Sequence, residues 1–173
     1  MAISLYDVSI PLFIDNLTNM RAWLDKATAH RLEAELVDAR LAPDMRPLIA
    51  QYQMASDSAK NCAARLAGVD APAMPDTEET FADLRARCDR TIAYLKGIDR
   101  DAIDGQEARP VELKFPNGTA YRFEGLGYLT GFALPNFFFH ATTAYAILRA
   151  QGVALGKPDF LAHLGAPQPA VVI

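Results

Sequence analysis

Residues 125–152, GLGYLTGFALPNFFFHATTAYAILRAQG, have the highest density of apolar and aromatic side chains in the chain and decide the predicted fold. Read as an α-helix at 100° per residue, the stretch places its apolar residues on one face, with Asn136 and His140 at the centre. The other members of this face are Leu129, Phe132, Ala133, Thr143, Ala144 and Ile147. An unpaired polar group in a core costs about 1–3 kcal/mol, so we expect both polar side chains to have partners inside the protein.

An amphipathic first helix is predicted over residues 4–29. Ser4 followed by Asp7 resembles a capping box, in which aspartate takes the place of glutamate. Pro11 falls inside the apolar pattern, so it either kinks this helix or delays its regular start to Ser9.

Two further helices follow at 44–67 and 78–96. Asp44 is the expected N-cap of the first of them, and Asp76 or Thr77 that of the second. Between these helices lies a linker with two prolines, VDAPAMPD at 69–76, and the first helix is joined to the second by a connector at 30–44.

The pattern changes to strict alternation between residues 111 and 124. Apolar and charged side chains alternate on both sides of Asn117-Gly118, which is a strong signal of a β-hairpin. The sequence therefore predicts an all-α protein, a four-helix bundle with a small β-hairpin inserted between helices 3 and 4, in a single domain over 1–173. The Gly- and Pro-containing tail, 153–173, is expected to wrap the surface.

Composition limits the classes of function. The chain has 173 residues, of which 51% are hydrophobic, and a formal net charge of −4, so we expect no nucleic-acid partner. No apolar run reaches the roughly 18–20 residues of a membrane span, and the N-terminus lacks the basic start of a signal peptide. Cys62 and Cys88 fall on apolar stripes and are interpreted as buried free thiols of a cytoplasmic protein.

Two segments carry a resemblance to a known family: APDMRPLIAQYQMASDSAKNCAARLAG at 42–68 and ALPNFFFHATTAYAILRAQGVALGKPDFL at 133–161. They resemble a bacterial family of unknown function within the DinB/YfiT-like four-helix-bundle superfamily, over essentially the whole chain. The resemblance implies a DinB-like bundle, often dimeric. It also implies a divalent metal held by three histidines, one on the second helix and two on the fourth, and in some relatives a thiol-dependent transferase or isomerase activity.

The sequence departs from this histidine pattern. Its three histidines are His30, His140 and His163, and only His140 corresponds to a metal histidine of the fourth helix. One turn earlier stands Asn136, and the second helix offers Gln51 instead of histidine. Neutral amide oxygens are poor substitutes for imidazole at a Zn or Ni site.

Three interpretations of the site follow. His140, Asn136, Gln51 and Asn16 could form a buried polar network that fixes helix register. His140, Asn136 and Gln51 could form a modified metal site, or His140 could bind a small molecule in a metal-free pocket, for which a pKa near neutrality suits it. The predicted function is a metal-free binding or accessory module with a pocket near His140, and the alternative is a divalent-metal-dependent enzyme of the thiol-transferase type. Whether the chain catalyses a reaction is left open.

Two surface features complete the predictions. Asp57 and Lys60 are interpreted as a solvated ion pair. Apolar residues that a monomeric bundle would expose indicate a homodimer, with the hairpin or the tail as the competing cover. These predicted interface residues are Ile10, Ile14 and Leu17 on the first helix and Leu134, Phe138, Ala141 and Tyr145 on the fourth.

Overall fold

Helices account for most of the computed structural model, which describes residues 4–29, 33–115 and 117–167. In chain order the elements are α1 (Ile10–Thr28), α2 (Glu33–Val37), α3 (Leu48–Ala67), α4 (Phe81–Lys96), α5 (Arg100–Ile103), β1 (Pro110–Lys114), β2 (Ala120–Glu124), α6 (Gly125–Tyr128), a π-helical segment (Leu129–Ala133), α7 (Leu134–Ala150), α8 (Lys157–Phe160) and a 3₁₀ turn (Ala162–Leu164). The predicted four-helix bundle with a hairpin before its last helix is confirmed.

The four long helices form a ring in which α1 and α3 each pack between α4 and α7. Side-chain contacts give the directions: α1 and α7 run parallel, and both run opposite to α3 and α4. The pairs that establish this are Phe13–Phe137 and Trp23–Tyr145, Gln51–His140 and Ser58–Asn136, and Arg21–Asp89 and Asp25–Arg85.

The parallel arrangement of α3 and α4 explains the long linker between them. A helix of 20 residues, such as α3, is about 30 Å long, so a chain that enters α4 in the same direction must first return along the bundle. Residues 68–80 can do so, because extended chain covers about 3.3 Å per residue. Gly68 starts the return in the left-handed conformation, with φ +71°.

The structure corrects the predicted starts of the first two long helices and adds one short helix. α1 begins at Ile10 rather than at residue 4, with Pro11 in its first turn, as the alternative start near Ser9 had predicted. The N-cap of α3 is Pro47 and not Asp44. A short helix, α2, lies within the predicted connector.

α4 begins at Phe81, so the predicted caps at Asp76 and Thr77 are wrong. Thr80 is the N-cap: its hydroxyl accepts from the backbone N–H of Asp83 at 3.1 Å, and the Asp83 carboxylate accepts from the N–H of Thr80 at 3.0 Å. This reciprocal pair satisfies two N–H groups that the first turn leaves unbonded.

The hairpin pairs antiparallel with Val111 opposite Phe123, as the alternation predicts. Val111 and Leu113 are buried against the helices, whereas Tyr121 near the tip is exposed. The turn is shaped by Asn117, whose side-chain oxygen accepts from the N–H of Thr119 at 3.1 Å.

The described part of the tail, 153–167, packs on α1, and residues 168–173 lie outside the described residues. The indole N–H of Trp23 donates to the carbonyl of Asp159 at 3.1 Å, and Lys26 forms an ion pair with the Asp159 carboxylate at 2.6 Å. Val153 is completely buried. The predicted role of the tail as a cover is confirmed for 153–167.

The core confirms the expectation for the two thiols: Cys62 and Cys88 are buried and unbonded to each other. Burial raises both pKa values, that of Cys88 to about 12. None of the helices in the described parts of the chain has the length and apolar composition needed to cross a bilayer.

Candidate functional site: a groove between α3 and the last helix

A groove of about 290 Å³ lies between α3 and the fourth long helix of the bundle, with Leu113 of the hairpin at one wall. This fourth helix, called the last helix here, consists of α6, the π-helical segment and α7 in succession. Its lining combines apolar and polar side chains. They are Met54, Asp57, Ser58, Asn61 and Arg65 from α3, Leu113 from β1, and Tyr128, Phe132, Ala133, Asn136 and His140 from the last helix.

The π-helical segment shapes the groove wall, and Pro135 explains why it forms there. Proline lacks the N–H that would bond the carbonyl of Gly131, and its ring would clash with that carbonyl. The backbone widens instead, so that the N–H of Leu134 bonds the carbonyl of Leu129, five residues back. The wider turn changes the direction of the side chains before it, including Tyr128, relative to those after it.

Asn136 and His140 lie at the edge of the core rather than at its centre, which corrects the sequence prediction. Both side chains are half-buried, whereas the completely buried residues of α7 are Phe137, Ala141, Ala144, Ile147 and Leu148. Both side chains nevertheless have partners inside the protein, and Gln51 is one that the sequence predicted for His140. The amide of Asn136 donates to the hydroxyl of Ser58 at 2.6 Å, and Nδ1 of His140 lies 2.9 Å from Oε1 of Gln51.

The hydrogen bonds of Gln51 select the tautomer of His140. Nε2 of Gln51 donates to the carbonyl of Arg46 at 3.0 Å, which leaves its Oε1, a pure acceptor, facing the imidazole. Nδ1 of His140 must therefore carry the proton. Burial lowers the pKa of His140, so the ring is neutral at pH 7. Its Nε2 keeps a free lone pair, without a hydrogen-bond partner in the described chain.

Ser58 supplies an aliphatic hydroxyl to the groove, but it is not activated as a nucleophile. Its Oγ donates to the carbonyl of Met54 at 2.7 Å and accepts from Asn136. It makes no bond to His140. The arrangement supports acceptance of a hydrogen bond or a proton by His140, and it does not provide a serine–histidine pair.

Arg65 contributes a cation to the groove. Its Nη1 donates to the hydroxyl of Tyr128 at 2.8 Å, and its guanidinium carbon lies 5.6 Å from the centre of the Tyr128 ring. Burial raises the pKa of Tyr128 to about 12, so the phenol stays neutral.

Asp57 joins the groove to a buried charge network. The predicted ion pair with Lys60 is present, but the prediction that it is solvated is wrong for Lys60. Lys60 is only 6% exposed and lies 2.9 Å from Asp57. The same carboxylate accepts from the completely buried Arg87 at 2.9 Å, and Arg87 also binds both oxygens of Glu78 at 2.9 and 3.1 Å. Two buried cations, Lys60 and Arg87, thus neutralise the carboxylate of Asp57.

Asn16 does not belong to this site, contrary to the prediction. It lies on α1, where its amide donates to the carbonyl of Leu12 at 2.9 Å. It lines a separate depression together with Phe138 and His163. His163 is held there by the amide of Asn19 at 3.0 Å, whereas His30 lies outside the described residues.

The predicted interface residues are largely internal. Ile10, Leu17 and Ala141 are completely buried within the chain. Ile14, Leu134, Phe138 and Tyr145 are half-buried and pack on the core. The tail covers part of this surface, since Phe160 packs on the ring of Tyr145. The large hydrophobic residue that α7 does expose is Phe139, at 56%.

Sequence reasoning missed the α3 wall of the groove. Met54, Ser58, Asn61 and Arg65 follow one another at spacings of four, three and four residues, which places them on one face of a helix. This mostly polar stripe runs beside the apolar stripe of α3. Its helical spacing is the feature of the sequence that indicates a shared wall.

The residues present fit a divalent transition metal poorly. Around His140 they supply one imidazole and the amide oxygens of Gln51 and Asn136, and Gln51 already accepts from that imidazole. The described chain brings together no group of three or more His, Cys, Asp or Glu side chains that could hold a metal ion.

The fold and the groove place this chain in the class of DinB-like bundles. Its structure is similar to the crystal structure of a DinB family member protein from Shewanella denitrificans, with a TM-score of 0.83 and 36% sequence identity over 95% of this chain and 96% of that chain. The chain belongs to the family described as a domain of unknown function, DUF1993, whose model matches residues 5–161. No curated protein matches it.

Proposed function

We propose that this protein is a metal-free binding or accessory module whose groove holds a small molecule beside His140. The observation that carries the proposal is the neutral imidazole fixed by Gln51, with Nε2 free on a side chain that lines the groove. An oriented acceptor among apolar walls is the pattern of a small-molecule site.

Nitrogen-correlated NMR spectra of the imidazoles test the tautomer directly. We expect His140 to show a protonated Nδ1 and an unprotonated Nε2 at pH 7.5. In Gln51→Leu the preference for this tautomer should weaken, whereas Gln53→Leu, a change on the same helix outside the groove, should leave it unchanged. A proton on Nε2 in the unaltered protein would overturn the proposal.

The alternative is a divalent-metal-dependent enzyme of the thiol-transferase type, with His140, Asn136 and Gln51 as ligands. Its support is that His140 and Gln51 are 2.9 Å apart and that Asn136 lies one turn before His140, in the region where the resemblance implies a metal. Elemental analysis of protein purified without a histidine tag separates the two functions. One equivalent of zinc or nickel that is lost in His140→Ala and kept in His163→Ala would favour the enzyme, whereas its absence would favour the module.

A homodimer is also part of the proposal. Its support is the exposure of Phe139, at 56%, on α7. Light scattering should give twice the chain mass of 18.9 kDa, and Phe139→Glu should reduce it to that of one chain. A monomeric mass for the unaltered protein would refute the proposed dimer.

A cytoplasmic location is likewise proposed, with support from the two free thiols.

A further inference from the structure

Arg65 is held in position before any ligand arrives. The hydroxyl of Tyr128 accepts a hydrogen bond from one N–H group of Arg65, and the guanidinium of Arg65 lies over the ring of Tyr128. Tyr128 itself is only 1% exposed, so its position is fixed by the core. A guanidinium has five N–H donors, and the bond to Tyr128 uses one of them.

Arg65 also lacks a balancing carboxylate. Within the described chain no acidic side chain lies in ion-pair distance of it, and the groove's own carboxylate, Asp57, is bound by Lys60 and Arg87. Arg65 therefore leaves a net positive charge on one groove wall of a protein whose overall charge is −4. A cation with spare donors beside apolar side chains favours an oxyanion.

We propose that the ligand of this groove is a small molecule with an oxyanion, a carboxylate or a phosphate, on an apolar body. The oxyanion binds Arg65, and the apolar body lies against Phe132 and Leu113. This inference rests on the proposed function, since it assigns the chemistry of a ligand to the same groove.

Benzoate, phenyl phosphate and the uncharged isostere benzamide are suitable probes. Each is titrated into the ¹⁵N-labelled full chain at low salt, and binding is followed at the amides of Asn61 and His140. We expect at least one anion to bind about tenfold more tightly than benzamide, the worth of one charge-assisted hydrogen bond. Raising the salt concentration should weaken the anion and leave benzamide unchanged.

Two variants with the same change of charge provide the control. Arg65→Gln should remove the tenfold preference, whereas Arg21→Gln, on α1 outside the groove, should retain it. Arg65→Lys should retain part of it, and equal urea midpoints would show that the variants are folded. A preference for benzoate would identify a carboxylate ligand, and one for phenyl phosphate a phosphate ligand.

Two results would overturn the inference, and they differ in what else they remove. Equal binding of benzamide and the anions, unaffected by Arg65→Gln, would refute the oxyanion and leave a small-molecule groove. If none of the three probes shifts the amides of Asn61 and His140, the proposed function fails together with the inference.

Discussion

Arg87→Met tests the idea that one buried guanidinium holds the α3–α4 linker on the bundle. The Arg87 side chain is completely buried and binds Glu78 and Asp57 at 2.9 Å each. It also donates to the carbonyl of Pro75 in the linker at 3.3 Å. Methionine keeps much of the volume and removes every one of these bonds.

The expected loss of unfolding free energy depends on the carboxylates that Arg87→Met leaves without their partner. Removing one partner of a buried ion pair costs about 3–5 kcal/mol, because the other charge is left uncompensated. Glu78 keeps two weaker partners, Arg90 at 3.2 Å and Gln53 at 3.0 Å. We therefore expect the lower end, about 3 kcal/mol, which is a large part of the roughly 5–15 kcal/mol of a typical domain.

Urea unfolding followed by circular dichroism at 222 nm measures this loss. Arg21→Met is the matched control, since its ion pair with Asp89 is exposed and should be worth less than about 1 kcal/mol. The double variant Arg87→Met/Glu78→Gln should recover about 1 kcal/mol or more, because it removes the stranded carboxylate. Equal losses in the two single arginine variants, or no recovery in the double variant, would refute the reasoning.

Three further predictions concern the backbone and the pH dependence. Gly125→Ala should destabilise the fold by about 1–3 kcal/mol in the same urea assay, because a Cβ there would collide with a neighbouring backbone carbonyl. A Cβ at Gly127 would face open space, so Gly127→Ala should stabilise the fold by about 0.5–1 kcal/mol. Thr80→Ala should cost about 0.5–2 kcal/mol through loss of the cap, and Thr77→Ala, the cap predicted from sequence, should cost almost nothing; equal losses would contradict the assigned helix start. Because burial lowers the pKa of His140 below 6.5, the folded state binds fewer protons than the unfolded state, so stability falls as the pH decreases from above 6.5 through the folded pKa. Urea midpoints between pH 7.5 and 5 should fall more steeply in the unaltered protein than in His140→Gln, and parallel curves would refute this.

The sequence predicted the elements whose signals are local. Alternation around Asn117-Gly118 gave the hairpin in its correct place, because an apolar face of period two can be buried only in one register. The apolar stripe predicted α3, and Gly68 predicted its last residue, because the helix ends there in a left-handed conformation that glycine adopts easily. Helix starts were less accurate, because several side chains near each start can act as a cap and packing selects one of them.

The candidate site was predicted in part. The one-turn spacing of Asn136 and His140 indicated side chains that share a site, and both bind residues of α3. Their place at the edge of the core was not predictable at 100° per residue, because the π-helical segment before Pro135 interrupts that rotation. Asn16 was assigned to the site wrongly, since sequence gives the face of a helix without the identity of its neighbour.

Periodicity alone therefore determined that this chain folds as a helical bundle with a hairpin, because apolar repeats report which side of each element must leave water. Only the tertiary structure decided which helices are neighbours and in which direction they run. The parallel packing of α3 and α4 brings Arg87 to Asp57, 30 residues apart. It thereby joins the ion pair of Asp57 and Lys60, which the sequence predicted at the surface, to a completely buried guanidinium. Charges distant in sequence become partners through packing. The same packing forms the groove, in which Arg65 has no carboxylate partner among the described residues.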